Sequence, residues 1–284
     1  MIIRKDKERP PRRWWSIAAI IVGFLICSYP IVSSIYQRSV QADSLRTYAQ
    51  TLQNSEKQLE ELLEEAEHYN DLLFQTQGTY IPGISDKYLS DEAYEKQLSL
   101  KDSEVMARIE IPKISVDLPI YHGVSGSVLS NGVGHLSSSS LPVGGEHTHA
   151  ALSAHRGLPS AKLFTRLDEL KKGDLFYIEV FGRKLAYRIS DIQTTDPEDV
   201  DVLEIQEGRD LVTLITCTPY GINTKRLIVT GERVAYVERE KEAIRGSMMS
   251  LRELILTAAP FTVIIVLAGK EIYQYRKQKE MRKR

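Results

Sequence analysis

Cys217 closes an apolar, threonine-bearing run, Thr213-Leu214-Ile215-Thr216-Cys217, and Thr218-Pro219-Tyr220-Gly221 follows at once. A thiol at such a junction is held by a strand and left open beside a loop, where a nucleophilic cysteine has to sit. Arg226 stands nine residues on, at the start of the next apolar run. Two antiparallel strands joined by a short loop would return its guanidinium to Cys217. There it could stabilise an oxyanion or hold a substrate carbonyl; the plainer alternative is a surface strand residue. A general acid–base partner is most often histidine. Of the six histidines, His68 falls in a helical stretch and His122 at a strand end, both structural in character. His147 and His149 lie in a Gly-rich loop, and with His135 they suggest a metal site only loosely, since neither zinc-like spacing nor a second nearby cysteine supports one. His155 closes the run Ala151-Leu152-Ser153-Ala154-His155-Arg156-Gly157, again where a strand gives way to a loop.

The elements that must position these residues are strands. Val105–Ile111, Val116–Tyr121, His149–Ala154, Asp174–Phe181, Lys184–Ile192, Asp210–Thr216 and Leu227–Val234 are short, rich in β-branched and aromatic residues, and separated by turn-formers such as Phe181-Gly182-Arg183-Lys184. One helix is expected among them, near Ala161–Leu170. So many short strands with a single short helix predict a mainly β barrel or sandwich, not βαβ units. Before them, residues 40–75 repeat Leu45, Tyr48, Leu52, Leu59, Leu62, Leu63, Tyr69, Leu72 and Leu73 at helical spacing, with glutamates between. This predicts one or two amphipathic helices packed on the domain, with a coiled-coil stalk as the rival. Residues 76–104 carry Gly78, Pro82, Gly83 and Ser85, and read as a loop with one short helix around Glu92–Leu98.

The net charge of −1 hides an uneven distribution. Residues 1–13 carry +4 and residues 270–284 carry +5, which leaves −10 on residues 14–269. An acidic centre between basic tails argues against nucleic acid as a partner. Beside the first tail, Trp14–Ile35 is free of charge for 22 residues, roughly 33 Å as a helix and enough to cross a bilayer core. Trp14, Trp15 and Tyr36 sit at its ends as interfacial anchors. The run is long for a cleaved signal peptide, so an uncleaved anchor is expected. Beside the second tail, Leu254–Gly269 is 16 residues long and uncharged. It reads as a second span extended by snorkelling ends, against an amphipathic or core helix. Basic residues at both ends place both termini in the cytoplasm and residues between the spans outside. Cys27 then lies within the first span, and Cys217 is a lone external thiol in a compartment where structural cysteines come in pairs.

Thr213–Cys217, Arg226 at its nine-residue spacing, and His155-Arg156-Gly157 lying 62 residues upstream of Cys217 together resemble the sortase signature. The resemblance covers about residues 105–235. It implies a closed eight-stranded β-barrel with N-terminal helices, one short inserted helix and two flanking transmembrane helices. It also implies that His155, Cys217 and Arg226 hold the three catalytic positions, that Thr216 and Thr218 adjoin the substrate, and that no cofactor is needed. Sortases cleave a sorting signal of the Leu-Pro-x-Thr-Gly type through a cysteine thioester, which an amine resolves. The second span and the long segment before the barrel resemble class C, in which a pilin lysine supplies the amine and pili result. That class carries an Asp-Pro-aromatic lid motif; here the sole Asp-Pro, Asp196-Pro197, lies in a later loop. Tyr80-Ile81-Pro82 or Asp86-Lys87-Tyr88 is the candidate plug, and a loop around Thr194–Gly208 is the candidate signal reader. The expected layout is a basic tail 1–13, an anchor 14–36, a helical segment and lid 37–104, a barrel 105–240, a linker 241–253, a span 254–269 and a tail 270–284. The alternatives are a housekeeping sortase passing surface proteins to a cell-wall precursor amine, a papain-like hydrolase (in which the cysteine precedes the histidine), and a membrane-anchored scaffold without catalysis.

Overall fold

The computed structural model describes residues 12–53, 56–76, 84–247 and 249–281. The β-branched runs form eight strands: β1 (Val105–Ile111), β2 (Val116–His122), β3 (Val133–His135), β4 (Thr148–Ser153), β5 (Leu175–Val180), β6 (Arg183–Thr195), β7 (Asp210–Thr218) and β8 (Lys225–Val234). They close into a barrel in the order β1-β2-β3-β4-β7-β8-β6-β5, as expected of a mainly β, eight-stranded fold. Two neighbouring pairs are parallel, β2 with β3 and β4 with β7. β3 is absent from the strand pattern of the sequence because Val133-Gly134-His135 is three residues long and offers one β-former.

Inward-pointing residues of alternate positions fill the barrel, among them Ile109, Ile120, Leu152, Ile178, Leu214 and Val229, all 0 % exposed. Removing a leucine or isoleucine side chain from water contributes about 1.5–3 kcal/mol. Phe176 and Tyr187 stack at 5.5 Å, and β8 passes close to them at Gly231, where an added Cβ would lie 2.4 Å from the Phe176 ring.

Two helices precede the barrel, α1 (Arg12–Gln53) and α2 (Glu56–Thr76). On α2, Leu59, Leu63, Ala66, Tyr69 and Leu73 form a buried stripe in the same core as the barrel residues, while Glu60, Glu61, Glu64 and Glu65 stay exposed. Asn70 locks the helix in place: its amide donates to the Leu141 carbonyl at 3.0 Å and accepts from the Leu141 N–H at 2.7 Å. On α1, the Tyr48 hydroxyl accepts from the Phe181 N–H at 2.9 Å. The helical segment is therefore packed on the barrel, not a free coiled-coil stalk.

Two short helices follow, α3 (Ser85–Tyr88) and α4 (Asp91–Lys96), the latter capped by Ser90. Tyr94 of α4 is buried, and its hydroxyl meets His135 Nδ1 at 3.0 Å and the Gly123 N–H at 3.0 Å. His135 Nε2 donates to the Ser140 carbonyl at 2.8 Å, so Nδ1 is the unprotonated nitrogen of a neutral ring. Burial pushes the His135 imidazole down to about 4 from its usual 6.5. Between those values the unfolded chain takes up a proton that the folded chain refuses, so stability falls as pH falls. The loss should approach about 3 kcal/mol near pH 4. Melting curves from pH 7 to 4 are expected to show it, with a shallower fall for His135→Asn; parallel falls in the two proteins would exclude His135 as the source.

The helix expected near Ala161–Leu170 does not form. Only a 3₁₀ turn at Leu167–Glu169 appears there. Ala161, Leu163, Phe164, Leu167 and Leu170 are all buried, and tertiary bonds take the backbone groups a helix would have used. The Phe164 N–H donates to the His155 carbonyl at 3.2 Å, and the Thr165 carbonyl accepts from Arg156 at 3.4 Å. The inserted helix lies elsewhere, α5 (Gly126–Asn131), capped by Ser125 between β2 and β3. After β8 come α6 (Glu238–Ala243) and α7 (Leu251–Met281).

The chain divides into two units, Ser34–Met248 and a second made of the segments on either side of it. α1, whose first half lies in the second unit, and α7 are long and apolar enough to cross a membrane, with mean hydropathies of 2.1 and 1.9 over their most apolar windows. Phe24 and Phe261 meet edge to face with ring centres 5.7 Å apart.

Candidate active site

The parallel β4–β7 ladder sets the site. Ser153 lies opposite Ile215, the Ala154 N–H donates to the Ile215 carbonyl at 3.1 Å, and the Thr216 hydroxyl donates to the Ala154 carbonyl at 2.7 Å. The pairing thus runs to the residues immediately before His155 and Cys217. On the other side β8 runs antiparallel to β7, with Cys217 directly opposite Arg226. Three neighbouring strands therefore deliver His155, Cys217 and Arg226 to one end of the barrel.

Strand parity puts Cys217 and Arg226 on one face. Ala154, Leu152, Leu214 and Leu227 belong to the barrel interior, whereas Ala151, Ile215 and Ile228 form a separate buried cluster outside it. Side chains repeat every second residue along a strand. Cys217 and Arg226 fall in step with Ile215 and Ile228, so they share the outer face, and His155 follows just past the end of β4. Leu136, Val202 and Leu203 pack on that cluster. The result is an apolar floor next to three half-buried polar side chains. Cys217 is a free thiol. Among the described residues, the Arg226 guanidinium bonds only to the neighbouring Lys225 carbonyl, at 3.3 Å, which leaves donors for an incoming group.

Thr216 and Thr218, the candidate substrate contacts, also bond within the chain. Thr216 is 2 % exposed and spends its hydroxyl on Ala154. The Thr218 hydroxyl accepts from Arg156 Nη1 at 3.0 Å. They hold the strand end that carries Cys217. The lid candidates Tyr80, Ile81 and Pro82 lie outside the described residues, as does the side chain of Asp86. Tyr88 sets its ring edge-on to His68 of α2, with Lys87 Nζ 4.6 Å from the ring centre.

The remaining histidines are structural fixtures. His149 donates from Nδ1 to the Glu204 carbonyl at 2.8 Å and accepts at Nε2 from the Thr213 hydroxyl at 2.7 Å. Burial lowers its pKa and favours that neutral form. Through it the β6–β7 loop, which carries Val202 and Leu203, is tied to β4 and β7. His147 accepts from the Gly208 N–H at 2.7 Å and stacks on Phe74 at 4.5 Å. Sequence reasoning missed the apolar floor, whose signal was the alternate positions of three strands that are distant in the chain.

The family model for the sortase domain matches residues 109–234. Sortase D of Bacillus subtilis is 34% identical over 129 residues, 44% of this chain; the chain spans 62% of that relative's length, under two thirds. The crystal structure of sortase C-1 from Actinomyces oris is 46% identical with a TM-score of 0.56, covering 63% of this chain and 99% of that one. Sortase C from Clostridium perfringens, solved with the C-terminal cell wall sorting motif, is 40% identical with a TM-score of 0.60, covering 69% of this chain and 100% of that one.

Proposed function

The chain belongs to the sortase family, and we propose from that footing that it is a membrane-anchored cysteine transpeptidase of class C, joining pilin subunits through an LPxTG-like sorting signal. The observation that carries the reading is the register that sets Arg226 opposite Cys217, with His155 just past the end of the neighbouring strand β4. Class C is supported by the likeness to solved sortase C enzymes and by the packed helical segment ahead of the barrel. Two apolar helices support the anchoring, and the basic residues at both ends favour cytoplasmic termini with the barrel outside.

The reaction follows from the parts. The Cys217 thiolate adds to the threonine carbonyl of the signal, and the negative charge that develops on oxygen meets the Arg226 guanidinium. The Thr–Gly C–N bond breaks, and His155 delivers its proton to the departing glycine amine. A lysine amine of a second pilin then attacks the thioester. His155 takes a proton from it, the C–S bond breaks, and an isopeptide bond remains. Val202 and Leu203, half-buried over the cluster of Ala151, Ile215 and Ile228, offer apolar surface for the Leu-Pro part of the signal, and exclusion of water from the thioester would favour amine over hydrolysis.

Incubating the full-length chain in detergent micelles with a pilin that bears the signal tests the reading. Covalent ladders are expected on denaturing gels. Monomeric pilin attached to a cell-wall precursor amine, with no ladder, would instead establish the housekeeping reaction.

A further inference from the structure

We propose that Arg156, the residue after His155, is a positioning residue that fixes the His155 turn against the strand end bearing Cys217. The inference rests on the reading of Cys217 as nucleophile. The Arg156 side chain is 3% exposed and pairs with Asp168 at 2.5 Å. From that buried place its guanidinium reaches three other segments. Nη1 donates to the Thr218 hydroxyl at 3.0 Å and lies 3.5 Å from the Cys217 carbonyl. Nε donates to the Thr165 carbonyl at 3.4 Å. The Tyr220 ring centre lies 5.8 Å from its central carbon.

A charge buried this deeply persists only when it is paired and its donors are used. The rigid five-donor fork suits that task, and a lysine cannot span the same partners. The partners are the nucleophile's own carbonyl, the next side chain, the loop after it and the segment that accepts the turn. Gly157 completes the joint. Its φ is +79°, and a Cβ there would lie 3.1 Å from the Tyr220 ring, so glycine lets that ring rest on the His155 turn. The parallel register ends at Ser153 and Ile215, two residues before the reacting pair, and Arg156 continues the alignment where backbone pairing stops. A misplacement of about 1 Å between reacting groups costs on the order of 100-fold in rate.

The test measures single-turnover acylation of the full-length chain in detergent micelles by an LPxTG peptide, read by rapid quench and intact mass across peptide concentrations. Arg156→Gln is expected to lower the maximal acylation rate about 10- to 100-fold, with the half-saturating peptide concentration within about twofold of wild type. Arg156→Lys should recover part of the loss. Thr218→Val, which removes one acceptor and keeps the branched shape, should show a smaller fall of the same kind. Should Arg156→Gln fail to fold, Thr218→Val decides alone. An unchanged rate in the deciding variant overturns the proposal, and so does a raised half-saturation with an intact maximal rate, which would assign these groups to peptide binding. A wild-type chain that forms no adduct would remove the nucleophile reading itself, and the proposal with it.

Discussion

Cys217→Ala is expected to bring covalent capture of a sorting-signal peptide from complete to undetectable while the melting temperature stays close to that of wild type. The two halves follow from different facts. Cys217 is half-buried on the outer face and its thiol makes no bond among the described residues, so losing the sulfur costs little packing; substitutions of this kind fall within about 1 kcal/mol. The chemistry, by contrast, has no substitute nucleophile. Cys27 lies in the apolar part of α1, in the other unit of the chain. Intact mass after incubation with peptide checks the first half and a thermal melt checks the second. An adduct persisting in the variant would end the Cys217 mechanism.

Arg226→Lys is expected to slow acylation by about 10²–10³-fold, the usual effect of removing one oxyanion donor. Register places Arg226 opposite Cys217, and its guanidinium has few commitments among the described residues. A lysine keeps the charge, but as a single compact ammonium without the planar pair of donors. The folded barrel should tolerate the change, because Arg226 is half-exposed and lies at the rim. Single-turnover rates of the two proteins under matched conditions decide the matter; equal rates would reduce Arg226 to a distant charge.

Much of this architecture was readable from local pattern. The β-branched runs marked seven of the eight strands, and a strand, a short loop and a second strand were enough to bring Arg226 back towards Cys217. Local pattern failed where distant partners decide. Val133–His135 becomes a strand because β2 and β4 flank it, not because its residues prefer to extend. Residues 161–170 have a helical rhythm, yet Arg156, Gly157 and His155 claim their backbone and side-chain groups. The resemblance implies that Thr216 and Thr218 adjoin the substrate; what it could not announce is that their hydroxyls bond to Ala154 and Arg156. No spacing rule announces a buried arginine whose hydrogen-bond partners lie 9 to 62 residues away.

The strand order carries a consequence for biogenesis. β8 is the last strand in the chain, yet it sits between β7 and β6 and is the piece that closes the ring. Until residues 225–234 are available, β6 and β7 are open edges, and such edges invite pairing with other chains. The parallel β4–β7 pair likewise waits on a crossover of more than 50 residues, which makes it slow to form. A chain emerging from its N-terminus therefore presents His155 first, Cys217 next and Arg226 last. Its thiol is exposed early, but the constellation that would arm it is completed only by the strand that also seals the fold. On the proposed mechanism, activity and structural integrity arrive in the same event, and a half-made molecule has neither.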